Sequence, residues 1–264
     1  MSLVIEKDAP WALVTGATGG LGLQFCELLA ARGYRLVITA RDTARLAEMR
    51  ELIPQARLAL AGDLTDPVCL KNLLNHLERE NIEPEVLINN AGFGLYGETL
   101  EQNSAENINL VDLNVRALTT LTLALAPSMR AKRKGYILNV ASIAAFMPCP
   151  YLSVYGASKA YVLSFSEALH EELKTEGVHV TALCPGPVKT NFWKRAGVSE
   201  CDRFEFAITD ARSVAERGLN ALFKNKALAT YGILNKVLTV SAQLAPKGLT
   251  RLIAKEVLRL AVKK

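Results

Sequence analysis

Two side chains spaced four residues apart, Tyr155 and Lys159, form the pair with the clearest chemistry in this chain. Residues four apart share one face of a helix, so both can reach one substrate. A free tyrosine has a pKa of about 10 and is a poor acid or base at neutral pH. A nearby ammonium favours the phenolate and lowers that pKa, which predicts a general acid/base at Tyr155. The alternative is a packed tyrosine beside a solvated lysine.

Ser142 and Asn114 are the other two candidate catalytic residues. Ser142 ends the apolar run that begins at Gly135, and a hydroxyl that leaves a buried strand can donate to a substrate oxygen as charge develops there. A serine that merely caps the strand is the alternative. Asn114 falls in the middle of a predicted helix, where asparagine is a mediocre helix former. Its alternative role is that of an ordinary polar side chain between helices.

A glycine-rich turn follows the first apolar run of the chain. After Trp11–Thr15 the sequence reads Gly16-Ala17-Thr18-Gly19-Gly20-Leu21-Gly22, and an amphipathic helical pattern comes next. Glycine permits close backbone approach, so a pyrophosphate can lie against the amides at a helix N-terminus. The spacing is GxxxGxG and differs from the more general GxGxxG fingerprint. The placement after a strand favours nucleotide binding over a turn that uses glycine for other reasons.

The elements that would position these residues follow a βαβ pattern. Short apolar runs alternate with longer helical patterns, and several runs are continuously apolar, as expected for strands covered on both faces. We expect a single Rossmann-type α/β domain over residues 1–264, with a doubly wound parallel sheet of about seven strands and helices on both faces. The predicted strands are Trp11–Thr15, Arg35–Ala40, Ala56–Ala61, Glu85–Asn89, Gly135–Val140, His179–Cys184 and Ala227–Tyr231, and the predicted helices begin near Leu21, Ala44, Val68, Ala105, Tyr151 and Arg212.

Composition favours a protein with a large core and disfavours several other classes. Half of the 264 residues are hydrophobic and 22% are charged. No continuous apolar run reaches the length of about 18 residues that predicts a transmembrane helix, and the charged start disfavours a secretory signal. The five cysteines are scattered without CxxC spacing, which indicates reduced thiols in a cytoplasmic protein. The three histidines lack ligand spacing, so we expect no metal.

Four further motifs accompany the glycine turn in a fixed order. They are Asp63-Leu64, Asn89-Asn90-Ala91-Gly92, Tyr155-Gly-Ala-Ser-Lys159, and Pro185-Gly186 followed by Thr190. Together with Thr15-Gly16-Ala17-x-x-Gly20-x-Gly22, they resemble the single-domain type of the short-chain dehydrogenase/reductase family. The chain is also similar to uncharacterised members of that family related to ketoacyl and steroid reductases. The resemblance covers the chain from Ala12 to Thr190.

The resemblance implies an enzyme that interconverts a ketone or aldehyde and an alcohol by hydride transfer with a nicotinamide cofactor. Tyr155 would protonate the carbonyl oxygen next to Ser142, and Lys159 would also hold the nicotinamide ribose. Asn114 would hold a water that links the lysine to solvent. The implied cofactor-binding residues are Gly16, Thr18, Gly20, Leu21, Gly22, Arg41, Asp63, Leu64, Asn90, Ala91, Gly92, Tyr155, Lys159, Pro185, Gly186, Val188 and Thr190.

The residues after the second predicted strand bear on the choice of cofactor. NAD-selective sites of this fold usually place a carboxylate at the strand end to bind the ribose 2′-hydroxyl. Here Ala40 has that place, and Arg41 can pair with a 2′-phosphate. Asp42 either disfavours a phosphate or caps the next helix. We expect NADP(H) to be preferred; the alternatives are an NAD-linked alcohol dehydrogenase and a catalytically silent nucleotide-binding scaffold, which the complete catalytic set disfavours.

A substrate flap is expected over residues 188–210, because the equivalent stretch covers the substrate in the family. Aromatic and aliphatic side chains there and after Ser142 predict an apolar pocket for a small lipophilic carbonyl or alcohol, unless they pack only within the flap. These residues are Phe146, Met147, Pro148, Tyr151, Leu152, Phe192, Trp193, Phe204 and Phe206.

The C-terminal extension, residues 228–264, is basic and amphipathic. Residues 211–264 carry a net charge of +9, whereas the first 210 carry −4. We expect its leucines to pack on the body or on a second subunit. Peripheral contact with an anionic membrane is a less favoured alternative, and no nucleic-acid motif accompanies the charge. Family members pair through the helices that carry the matching Asn and Tyr, which implies a homodimer or homotetramer.

Overall fold

Seven parallel strands form one sheet in a computed structural model that describes residues 8–190, 192–198 and 209–261. The order across the sheet is β3-β2-β1-β4-β5-β6-β7. The predicted doubly wound fold is therefore confirmed. The strands are β1 (Trp11–Thr15), β2 (Arg35–Ala40), β3 (Ala56–Ala61), β4 (Pro84–Asn89), β5 (Gly135–Val140), β6 (Val178–Leu183) and β7 (Leu228–Ala229).

Helices connect the strands and continue beyond the last one. Their bounds are α1 (Gly20–Ala31), α2 (Thr43–Leu52), α3 (Pro67–Arg79), α4 (Ser104–Val111), α5 (Leu118–Ala131), α6 (Ser153–Leu173), α7 (Phe192–Arg195), α8 (Ala211–Phe223), α9 (Ile233–Leu244) and α10 (Lys247–Ala261). Each predicted helix begins within two residues of its observed start. The predicted seventh strand is too long, because β7 pairs only with the end of β6, at Ala182 and Leu183.

The core lies on both faces of the sheet. Alternate residues of a strand point to opposite faces, so Ala12 and Val14 join a cluster with α1, α2 and α8. Leu13, between them, joins the opposite cluster with α3 and α5. Both faces of the central strands are therefore buried, which accounts for the continuous apolar runs in the sequence.

Asn114 lies in an irregular part of a long helix. A π-helical segment, Asp112–Ala117, joins α4 to α5, so the helical path runs from Ser104 to Ala131. By length and composition this stretch could cross a membrane, but the core helix of a soluble protein passes the same test. Leu121 and Met129 are buried against the sheet, so packing in this fold accounts for part of its apolar residues. A π-bulge often marks a functional position in a helix.

The C-terminal helices α9 and α10 differ from the sequence prediction in how exposed their apolar residues are. The leucines of the extension were expected to pack on the body or a second subunit, but most of the apolar residues of α9 and α10 are exposed. Leu258 is an exception, since it packs against the cluster that contains Tyr155. Packing on the body is therefore wrong for most of this segment. The inward residues of α9 are Asn235 and Thr239.

Candidate active site

The predicted motifs converge on one edge of the sheet. The glycine turn follows β1, the Asn-Asn-Ala-Gly motif follows β4, Ser142 follows β5 and Pro185 follows β6. Parallel strands bring their carboxyl ends to the same edge, and the chain order reverses between β1 and β4. Ligands of doubly wound proteins bind at that reversal point.

The glycine turn is too tight for side chains at its key positions. Gly16 has a φ of +64°, and a Cβ there would lie 2.9 Å from the Ala91 Cα. A Cβ on Gly22 would lie 2.2 Å from the Gly16 carbonyl oxygen. No side chain caps the start of α1, and the first amides of a helix have no intrahelical acceptor. These residues fit the pyrophosphate of a dinucleotide.

Asn90 and Thr15 fasten the turn to the end of β4. The Asn90 Nδ2 donates to the carbonyl oxygens of Thr15 and Gly16, at 2.9 and 3.1 Å. The Thr15 hydroxyl accepts from the backbone N–H of Asn90 and of Ala91, both at 3.0 Å. These bonds hold the two nucleotide-binding segments in one rigid arrangement.

The other predicted cofactor residues near the turn contribute in different ways. Thr18 is half-buried in the turn, whereas the side chains of Leu21 and Leu64 pack against the two core clusters. Leu21 and Leu64 can therefore offer a cofactor only their backbone groups. The Asp63 carboxylate accepts from the Thr65 N–H at 2.9 Å and lies 3.9 Å from the Arg41 guanidinium.

Arg41 is exposed at the end of β2 and free to meet a phosphate. Asp42 accepts from the Arg45 N–H at 3.0 Å and caps α2, so the structure favours the capping role for this carboxylate. A second guanidinium, that of Arg195 in α7, belongs to the same region. Burial lowers the pKa of Arg195, and the nearby charge of Arg41 lowers it further. Two guanidiniums thus lie in the region beside the end of β2, together with the carboxylates of Asp42 and Asp63.

Asn114 is held by the segment that follows β4. Its Oδ1 accepts from the Phe93 N–H at 3.1 Å, and its Nδ2 donates to the Phe93 carbonyl and the Ser158 hydroxyl, both at 3.0 Å. A Cβ on Gly92 would lie 2.9 Å from the Asn114 Oδ1 and 3.4 Å from the Lys159 Nζ. The absence of a side chain at Gly92 lets these two groups approach the end of β4.

Lys159 is buried beneath the site. Its Nζ donates to the Val140 carbonyl at 2.7 Å and lies 5.8 Å from the centre of the Tyr155 ring. Burial lowers the pKa of this ammonium to about 8. At neutral pH it is therefore still mainly charged, and it fits the ribose hydroxyls of a nicotinamide nucleotide as a donor.

Tyr155 shares the helix face with Lys159, as predicted, but its pKa moves the other way. Burial raises the pKa of Tyr155 to about 12, and a hydrogen bond with the Ser142 side chain lowers it in part. The expectation that the ammonium lowers the pKa does not hold for this structure. Low-dielectric surroundings disfavour the phenolate, and Lys159 loses its charge at a lower pH than Tyr155.

Ser142 has a structural role in the free protein and also lies beside Tyr155. Its hydroxyl accepts from the Ala144 N–H at 3.1 Å and so caps the short 3₁₀ helix after β5. It also bonds with Tyr155, which places two hydroxyls together at the edge of the sheet. Such a pair can donate to one substrate oxygen.

The segment after β6 closes over the glycine turn. Gly186 lies against Asn235 of α9: a Cβ on Gly186 would be only 2.5 Å from the Asn235 Nδ2. A Cβ on Gly20 would lie 2.6 Å from the Thr190 Cγ2. Val188 pairs with Thr209 in a short parallel bridge. The base of the predicted flap is therefore fixed; Phe204 and Phe206 lie outside the described residues.

An apolar wall surrounds Tyr155, and it includes part of the predicted pocket. Met147, Leu152, Phe192 and Trp193 belong to it, and the Phe192 ring centre is 5.2 Å from that of Tyr155. Phe146 instead packs in another cluster, and Pro148 is exposed. The Tyr151 ring lies tilted beside that of Tyr96, with 6.0 Å between the ring centres. Sequence reasoning missed Phe93, Leu95, Tyr96, Leu110 and Leu258.

The residues that sequence reasoning missed differ in whether the sequence carries a signal for them. Leu95 and Tyr96 follow Gly92 closely and lie beyond the carboxyl end of β4, so their position alone was a usable signal. Leu258 arrives from α10, and the Tyr96 hydroxyl donates to its carbonyl at 3.0 Å. No local pattern predicts a contact between residues this far apart in the chain.

The doubly wound sheet, the side-chain-free turn and the buried Tyr–Lys pair define a dinucleotide-binding oxidoreductase of the Rossmann class. A family model described as short chain dehydrogenase matches residues 10–200. The chain belongs to this family, as the motifs predicted, and is an oxidoreductase for alcohol and carbonyl groups.

Known proteins of the family resemble the chain over most of its length. A probable NADP-dependent dehydrogenase of Haemophilus influenzae is 36% identical over 66% of this chain and 70% of its own. A short-chain dehydrogenase from Sphingobium yanoikuyae, solved with NADPH, is 31% identical over 97% of each chain, with a TM-score of 0.78. The bulky-bulky ketone specific alcohol dehydrogenase from Comamonas testosteroni is 28% identical over 97% of this chain and 96% of its own, with a TM-score of 0.74.

Proposed function

We propose that the protein is an NADP(H)-dependent oxidoreductase that interconverts a ketone or aldehyde and an alcohol, with Tyr155 as its general acid/base. The observation that carries the proposal is the buried group of Ser142, Tyr155 and Lys159 beside a turn shaped for a dinucleotide. Bound nicotinamide supplies the hydride chemistry. The residues of the chain supply orientation, polarisation and the proton.

The protonation states favour carbonyl reduction at neutral pH. With a pKa of about 12, Tyr155 holds its proton at pH 7 and can give it to a carbonyl oxygen as negative charge develops there. Ser142 donates a second hydrogen bond to the same oxygen. Oxidation of an alcohol needs the phenolate, which forms only at high pH, where Lys159 has already lost its charge.

Asn114 completes the proposed site as a positioning residue. Its amide fixes the Phe93 backbone and the Ser158 hydroxyl, and Ser158 donates to the Tyr155 carbonyl at 2.7 Å. These contacts hold the start of α6 against the segment after β4. A role in a water-mediated proton path to Lys159 stays a prediction.

Preference for NADP(H) rests on the charge beside the end of β2. Arg41 is exposed there, Asp42 is engaged as a cap, and Arg195 adds a second guanidinium nearby. The Haemophilus relative is named as NADP-dependent and the Sphingobium structure contains NADPH. A 2′-phosphate is the cofactor group that these guanidiniums would bind. An NAD-linked alcohol dehydrogenase is the alternative.

The substrate we propose is a small lipophilic ketone or the matching alcohol. The wall beside Tyr155 is built from apolar and aromatic side chains, among them Leu110, Leu152 and Phe192. A relative of similar fold is named for bulky-bulky ketones, and a pocket lined in this way favours ketones with apolar groups on both sides.

We also propose a homodimer or homotetramer in the cytoplasm. The helices expected to pair in the family are the α4–α5 path, which carries Asn114, and α6, which carries Tyr155. Exposed apolar residues lie on both: Ile108, Val111 and Leu123 on the first, and Tyr161 on the second. Contact through these residues would bury them.

The experiment that tests the function is a fluorescence titration with NADPH and NADH, followed by NADPH oxidation with a panel of aryl alkyl ketones. Tyr155→Phe should lower kcat about 10²–10⁴-fold, because it removes the proton donor, while the Kd for NADPH changes less than about twofold. Tyr161→Phe, a tyrosine on the same helix, is the matched control and should keep full activity. Binding without turnover in the wild type would favour the silent scaffold instead.

A further inference from the structure

Helix α9 presents an apolar face to solvent. Ile233, Val237, Val240 and Leu244 are spaced by four, three and four residues, so they lie on one side of the helix. All four are exposed, and the two at the ends are each 82% exposed. The opposite side buries Asn235 and Thr239. The side that faces the body is thus the more polar one.

Helix α10 likewise has exposed apolar residues, and it also carries a row of positive charges. Its buried residues are Thr250 and Ala254, and Leu258 is half-buried, whereas four of its large apolar residues are exposed: Leu249, Leu252, Ile253 and Val257. Beside them runs a basic row, defined by four residues each one helical turn apart: Lys247, Arg251, Lys255 and Arg259. Like charges at this spacing repel and destabilise a helix.

The basic row is short of negative partners within the described part of the chain. Arg259 pairs with Glu256 at 2.7 Å, and the ion pairs of the described residues include none for Lys247, Arg251 or Lys255. Residues 228–264 hold seven Lys or Arg and one Glu. The segment therefore combines exposed apolar residues with uncompensated positive charge.

We propose that α9 and α10 form a docking surface for an anionic lipid bilayer. A helix with an apolar side and adjacent basic residues lies in the membrane interface, where its apolar residues enter the acyl boundary and its cations meet the headgroups. A second copy of the chain fits less well, because a symmetric contact would bring the two basic rows together. The surface lies outside the matched family region, residues 10–200.

Vesicle sedimentation with the full-length protein tests this proposal. The wild type should sediment with vesicles that contain phosphatidylglycerol and much less with pure phosphatidylcholine vesicles. Arg251→Gln together with Lys255→Gln should raise the lipid concentration for half-maximal binding about 30-fold, because each cation near an anionic surface contributes about fivefold. Leu252→Asp should raise it at least about tenfold, because a buried apolar contact is lost.

Matched controls separate the surface from general charge and hydrophobicity. Arg50→Gln together with Lys71→Gln removes the same charge from α2 and α3, and Leu52→Asp removes an apolar residue that is 76% exposed; all should bind like the wild type. NADPH titration checks that every variant is folded. Absence of sedimentation with phosphatidylglycerol would overturn the proposal, as would equal binding by variants and controls. Light scattering that shows a lipid-free oligomer dissociated by Leu252→Asp would assign the face to a second copy instead.

Discussion

Arg41 tests the cofactor proposal at a single position. Its exposed guanidinium lies near the Asp63 carboxylate and has room to bind a 2′-phosphate. Arg41→Ala should raise the Kd for NADPH about 10- to 100-fold, since a hydrogen bond to a charged group contributes about 1.5–3 kcal/mol. The Kd for NADH should change less than about twofold. Fluorescence titration measures both, with Arg45→Ala as the control from the neighbouring helix. An equal loss for both cofactors would contradict the 2′-phosphate assignment.

Lys159 predicts a pH dependence of stability. Its pKa is lowered to about 8 in the fold and is about 10.4 in an unfolded chain. Between these values the unfolded chain binds more protons, so the contribution of Lys159 to the unfolding free energy rises as pH increases from about 8 to 10. Below about pH 8 Lys159 is charged in both states, so the full free-energy cost of burying its ammonium is present.

Urea unfolding of the wild type and Lys159→Met at pH 7 and pH 10 isolates that effect. The wild type should gain about 2 kcal/mol relative to the variant over this range. The raised pKa of Tyr155 acts in the opposite direction, but only above about pH 10. A difference between the two proteins that does not change with pH would show that Lys159 titrates normally.

At the residue scale, the sequence predicts which residues form the site, but it does not predict their pKa values. Tyr155, Lys159, Ser142 and Gly92 meet at the predicted edge because motif order fixes the strand ends that carry them. The pKa of Tyr155 could not be predicted in the same way, since it depends on how much of the surrounding wall excludes water. That wall includes Leu258, which is distant in sequence.

A buried polar chain links the elements that carry the site. Asn89 of β4 donates to Asn139 of β5 at 2.8 Å, and Asn139 donates to Ser166 of α6 at 2.9 Å. Asn139→Ala should lower the unfolding free energy by about 3 kcal/mol, because it leaves buried polar groups unpaired. Urea denaturation measures this, and Asn72→Ala on the exposed side of α3 should stay within about 0.5 kcal/mol. A loss for Asn139→Ala below 1 kcal/mol would mean that water replaces the side chain.

The sequence predicts the bounds of strands that are buried on both faces, but it does not predict the exposure of the C-terminal helices. β1 and β2 match their predicted bounds because strands buried on both faces contain continuous apolar runs, such as Leu36–Ile38. In α9 and α10 the apolar pattern predicts buried side chains, yet most of the large apolar residues of these helices are exposed. Periodicity shows that a helix has an apolar side, but it does not tell which way that side faces.

The assembly of the whole molecule gives the largest-scale prediction. If the α4–α5 path and α6 form the contact between subunits, Leu123→Glu should place a charge in that contact and yield a smaller species by multi-angle light scattering. Leu52→Glu, at an exposed apolar position on α2, should leave the mass unchanged. A wild type that is monomeric at all concentrations would rule out this pairing.

The hydrogen bond from Tyr96 to the carbonyl of Leu258 joins the C-terminus to the wall around Tyr155. The family model matches residues 10–200, so this part of the wall is supplied by chain that follows the matched region. We therefore expect that exchanging the segment around Leu258 between relatives changes substrate choice while the catalytic residues of the matched region stay in place. Engineers seeking new ketone selectivity would accordingly recombine tails between relatives before altering the nucleotide-binding half.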